Sequence, residues 1–74
     1  MRRANYSVIG DATDSLLLRD LGPWDRHPTI TNDAEAVVED MAPRLKGRRL
    51  FYYDSDNQIT ELLIKDGKFA GYGG

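Results

Sequence analysis

Seventy-four residues with no cysteine and a single histidine leave room for one small domain, residues 1–74, and exclude disulfide staples and thiolate zinc sites. Ten basic and twelve acidic side chains give a net charge of −2, so no overall field draws the chain to nucleic acid or to an anionic membrane. No apolar run approaches the roughly 20 residues of a membrane span, and Met1-Arg2-Arg3-Ala4-Asn5-Tyr6 lacks the apolar region of a signal peptide, which makes a cytoplasmic protein the expectation.

The first apolar stretches, Tyr6-Ser7-Val8-Ile9 and Leu16-Leu17-Leu18, are separated by the turn-rich segment Gly10 to Ser15 and read as a β-hairpin with a long loop. In that hairpin Tyr6 and Val8 align with Leu18 and Leu16 on one face. The rival is a short helix over residues 15–21, with Asp14 as N-cap, Gly22 after its end and Pro23 as stop. At about seven residues such a helix has little stability of its own.

Residues 22–31 contain two prolines and no usable period, so they form a loop that Pro28 stiffens. Within it Trp24, Asp25, Arg26 and His27 bring together an aromatic platform, a carboxylate, a guanidinium and the only imidazole of the chain. In a catalytic reading His27 moves a proton near neutral pH and Arg26 binds an anion. In a structural reading Trp24 anchors the loop, Asp25 caps a turn, and the other two are solvated.

Asn32 as N-cap with Glu35 three residues on makes a capping-box-like helix start. Ala34, Val37, Val38, Met41 and Leu45 then form an apolar stripe opposed by Glu35, Glu39, Asp40 and Arg44. Pro43 predicts that regular helix stops near Ala42, with Gly47 closing the segment.

From Arg48 onward the chain reads as a three-stranded meander: Leu50 to Tyr53, Ile59 to Lys65, and Lys68 to Tyr72. Asp66-Gly67 is a strong hairpin turn because type I′ needs positive φ at both central positions. If Lys65 pairs with Lys68, Ile64 faces Phe69, Leu62 faces Gly71 and Glu61 faces Tyr72. Pairing Tyr53 with Ile59 then puts Leu50, Tyr52, Thr60, Leu62, Ile64 and Phe69 on one face. Phe51, Tyr53, Ile59, Leu63, Ala70 and Tyr72 fall on the other. The stretch from Phe51-Tyr52-Tyr53-Asp54 through Leu62 resembles one Tyr-Asp hairpin repeat of large bacterial shell proteins, with no second copy elsewhere in the chain. Asp54-Ser55-Asp56-Asn57 begins with the carboxylate spacing of a calcium loop, but Ile59 and Lys65 stand where that loop needs Gly and Glu, so it reads as a polar turn.

The expected fold is α+β, of order ββαβββ, with a small antiparallel sheet packed on one amphipathic helix. One helix covers only one face of such a sheet. The second face, with Phe51, Tyr53, Leu63 and Tyr72, must then be covered by a second copy in a homodimer, by another protein, or by the N-terminal hairpin folded over it. This points to a non-enzymatic interaction or regulatory module. The alternative is nucleic-acid binding by Arg44, Lys46, Arg48 and Arg49, four cations in six residues beside an aromatic strand. No phosphate loop and no cysteine nucleophile are present, and Ser7, Ser15 and Ser55 lie far in sequence from His27. A small enzyme centred on His27 is the third reading, after these two, and neither a cofactor nor a metal is expected.

Overall fold

The structure is a computed structural model that describes residues 5–22, 29–30, 32–54 and 56–73. Five strands, β1 (Tyr6–Asp11), β2 (Ser15–Asp20), β3 (Arg49–Tyr53), β4 (Ile59–Lys65) and β5 (Lys68–Gly73), and one helix, α1 (Ala34–Leu45), make up an α+β fold. The strands lie side by side in chain order in one sheet. Residues 15–20 are strand, so the hairpin reading holds over the short helix, and the hairpin is the edge of the same sheet rather than a flap over its second face.

The sheet is mixed, which corrects the expectation of an antiparallel one. β2 and β3 run parallel, with Leu16 beside Leu50 and Leu18 beside Tyr52, while the other neighbours are antiparallel. The reason is the connection itself: a helix packed on the sheet returns the chain to the end where it started, and a parallel pair needs such a crossover.

The core lies between α1 and one face of the sheet. The whole predicted stripe, Ala34, Val37, Val38, Met41 and Leu45, is buried against Leu16, Leu18, Leu50, Tyr52 and Leu62. Ile30, assigned from sequence only to a loop, is also fully buried there. The period of 3.6 on the helix and of 2 on the strands therefore meets in one layer. No helix among the described residues is long and apolar enough to cross a membrane.

Both ends of α1 differ from the sequence reading. Its N-cap is Asp33, one residue later than expected, and no side chain caps it. Thr29 instead fixes the turn that leads into the helix: its carbonyl accepts from the amides of Asn32 (3.1 Å) and Asp33 (2.9 Å), and its Oγ1 accepts from Asn32 N (3.1 Å). At the other end the helix passes through Pro43 to Leu45, and Lys46 (φ 52°) and Gly47 (φ 86°) turn the chain out. The C-terminal carbonyls are satisfied by Arg48, whose amide (3.0 Å) and Nε (2.9 Å) donate to Leu45 O and whose Nη2 donates to Arg44 O (2.7 Å). The same side chain donates to Ala12 O (3.0 Å) and pairs with Asp11, which ties the helix end to the β1–β2 loop.

Two strands carry bulges. In β1 the pairing slips between Val8 and Gly10, so Val8 stands opposite Leu18 and Tyr6 opposite Asp20, on the expected face but two positions from the expected partners. In β5 Lys65 pairs with Lys68 and Ile64 with Phe69 as predicted, and the register then slips. Gly71 (φ 116°) makes the slip, because an L side chain is strained at that φ. Beyond it Leu63 faces Gly71, Leu62 faces Tyr72 and Glu61 faces Gly73.

Candidate functional site

The face of the sheet away from α1 is covered by no described element. Its side chains can be placed row by row from the register. One row runs Gly10, Leu17, Phe51, Glu61 and Gly73 from β1 to β5; the next runs Ser7, Arg19, Tyr53 and Ile59. Leu63 continues the face on β4. Ile59 and Leu63 are exposed, at 54% and 38%, and Leu17, Phe51 and Tyr53 are half-buried. An apolar ridge thus crosses the three central strands.

Glycines flank the ridge for a steric reason. A Cβ at Gly73 would stand 2.9 Å from Glu61 Cβ, and one at Gly10 would stand 3.2 Å from Leu17 Cβ. The central side chains therefore lean over low edges on both sides.

Two arginines lie on the aromatic rings of the ridge. The guanidinium carbon of Arg19 is 5.4 Å from the centre of the Tyr53 ring, and that of Arg49 is 5.1 Å from the centre of the Phe51 ring. These are cation–π distances, at which each ring face attracts its guanidinium. Arg49 also donates Nε to Glu61 Oε2 (2.9 Å) and Nη2 to Glu61 Oε1 (2.6 Å), a two-bonded fork. Those bonds and the adjacent positive charge hold the Glu61 carboxyl below its ordinary range and raise the Arg49 guanidinium above its own.

Three of the four side chains expected on this face are there: Phe51, Tyr53 and Leu63. Tyr72 is not. The β5 bulge places it opposite Leu62 on the helix side, where its ring centre is 6.4 Å from that of Tyr52 and 5.2 Å from that of Phe69. Partial burial, with Tyr52 beside it, raises its phenol above the ordinary tyrosine range.

The basic segment does not converge on one surface. Arg48 is spent on the helix end and Asp11, Arg49 belongs to the outer face, and Arg44 and Lys46 stand exposed at the end of α1. Trp24, Asp25, Arg26 and His27 lie outside the described residues. Among the described residues no group of three His, Asp or Glu side chains could hold a metal ion. At the β3–β4 turn Asp54 Oδ1 accepts from the amides of Asp56 and Gln58 (both 2.9 Å), so this carboxylate organises its own loop, as the polar-turn reading expects.

Leu17 and Arg19 were missed by sequence reasoning. Alternation along β2 already sets them opposite to Leu16 and Leu18, but only the parallel pairing with β3 brings them beside Phe51 and Tyr53. The face so built can desolvate apolar groups of a partner and offer it two ring-flanked guanidiniums; among the described residues it brings together no proton-transfer pair. No family model, no curated protein and no solved structure matches the chain.

Proposed function

We propose that this chain is a protein-interaction module that docks its partner on the outer face of the sheet, through Leu17, Phe51, Tyr53 and Leu63 with Arg19 and Arg49. The observation that carries the reading is the one-sided core: α1 buries one face of a five-stranded sheet, while the other keeps an apolar ridge across its three central strands. Contiguous apolar surface rimmed by polar groups marks interaction sites on soluble domains. Tyr and Arg are also the residue types that dominate binding energy when buried at the centre of an interface. Ring-held guanidiniums lose little side-chain freedom on docking, which lowers the cost of association.

The test is a photoreactive side chain introduced at position 63, with a second one at Glu39 on the exposed side of α1 as control. Irradiation in the native cells gives a discrete adduct from position 63 and none from position 39. An adduct of twice the chain mass identifies a second copy, as in the homodimer expected from sequence; any other discrete mass identifies a different protein. Adducts of equal pattern from both positions, or none from position 63, contradict the reading.

A further inference from the structure

The charge of the outer face is opposite to that of the chain. Arg19 and Arg49 lie on it, and Lys65 and Lys68 join them, because their neighbours Ile64 and Phe69 pack against the core and strand side chains alternate. Against these four cations stand Glu61 within the face, and at its rim Asp14 beside Arg49 and Asp66 in the turn between Lys65 and Lys68. The face is therefore positive on a chain whose net charge is −2, and the acidic groups Glu35, Glu39 and Asp40 are exposed on the helix instead. Glu61 is already engaged by Arg49, whereas among the described residues no carboxylate pairs with Arg19.

We infer that the occupant of this face is a protein surface presenting carboxylates beside apolar side chains, and not a second copy of this chain. The inference rests on the docking reading above and adds the chemistry of the partner. Stacking two copies face to face would bring two positively charged faces together, and like charges brought together across an interface cost affinity. A carboxylate-bearing partner meets Arg19 beside the Tyr53 ring and, among the described residues, with no carboxylate already on its N–H groups. Single-stranded nucleic acid is the other polyanion that rings and arginines suit. It fits less well here, since the guanidiniums lie over the ring faces that bases would stack on, Glu61 opposes phosphate, and the flanking groups are aliphatic Leu17, Ile59 and Leu63.

The experiment titrates the isotope-labelled chain with three probes: a short amphipathic peptide of leucine and glutamate, the same leucine pattern with lysine in place of glutamate, and a short oligothymidylate. The expected result is binding of the glutamate peptide at least about tenfold tighter than either other probe. The amide signals that move are those of Leu17, Arg19, Phe51, Tyr53 and Leu63, and the preference is lost in R19E and inverted in R19E/R49E. R19E alone keeps the test sound if the double variant melts, because Arg19 supports no ion pair within the described fold. Equal binding of both peptides to the face overturns the acidic partner and leaves the docking surface standing. Tighter binding of the oligothymidylate there assigns the face to nucleic acid, and concentration-dependent broadening of the same amides without any probe assigns it to a second copy; either overturns the inference. No movement of these amides with any probe removes the inference and the docking reading together.

Discussion

Tyr72 stands opposite Leu62 and not opposite Glu61, and this single step of register decides which side of the molecule its ring serves. On the helix side it touches Tyr52 and Phe69. Tyr72→Ala is therefore expected to lower stability by about 1 to 2 kcal/mol, since aromatic pairs add to the area they bury, and to leave binding at the outer face unchanged. Tyr53→Ser is expected to do the reverse. Urea unfolding of both variants beside probe titrations checks the pair.

The bulge that places Tyr72 depends on Gly71 at φ 116°. Gly71→Ala puts a Cβ where L residues are strained, and a loss of about 1 kcal/mol or more is expected. Space is not the cause, because nothing lies within 4 Å of a Cβ built there. A variant with a D-alanine at this position, made by chemical synthesis, should keep the wild-type stability; equal losses for both enantiomers would point to sterics instead.

Much of this architecture was legible in the residues. The helix stripe from Ala34 to Leu45 and the Asp66-Gly67 turn are local signals, set by a period and by φ preferences, and both are seen. The outer face was legible as far as alternation within β3 and β4 reaches, which gave Phe51, Tyr53 and Leu63. What could not be read depends on partners distant in sequence. Pro43 suggested an early helix end because it loses its own amide bond; the helix instead runs to Leu45, where Arg48, anchored across the fold on Ala12 and Asp11, satisfies the last two carbonyls. The parallel β2–β3 pairing needs the crossover helix, and without it Leu17 and Arg19 have no neighbours to join. Gly71 is one of several glycines near the C-terminus, and its φ follows from tertiary pairing rather than from its neighbours in the chain.

Arg48 joins the end of α1 to the β1–β2 loop through Arg44 O, Leu45 O, Ala12 O and Asp11. Arg48→Ala is expected to cost about 1 to 3 kcal/mol, because charged hydrogen bonds to partly buried carbonyls are among the stronger ones. Arg48→Lys should recover only part, since an ammonium cannot reproduce the planar fork. Hydrogen exchange should report the loss at the amides of the last turn of α1 and of Ala12, and global unfolding alone without local change would count against this role.

Arg49 holds Glu61 below its ordinary carboxylate range through two hydrogen bonds. A depressed folded-state value contributes stability above the ordinary glutamate value of about 4.5, and that contribution is lost as pH falls through the folded one. The melting temperature of the wild type should therefore exceed that of Glu61→Gln at neutral pH and converge on it in acid. Both groups are solvent-facing, so the gap should be small and shrink further with salt. A gap that persists below the titration of Glu61 would assign the effect to packing over Gly73.

The described sheet has one face covered by α1 and one face open. The most direct measurement is broadening of side-chain methyl signals by a soluble paramagnetic chelate, which reports exposure in solution without any partner. Methyls of Leu17, Ile59 and Leu63 should broaden strongly, while those of Leu16, Leu18, Leu50 and Leu62 stay sharp. Equal protection of both sets in the isolated monomer would mean that the outer face is already covered by the chain itself and is no docking surface.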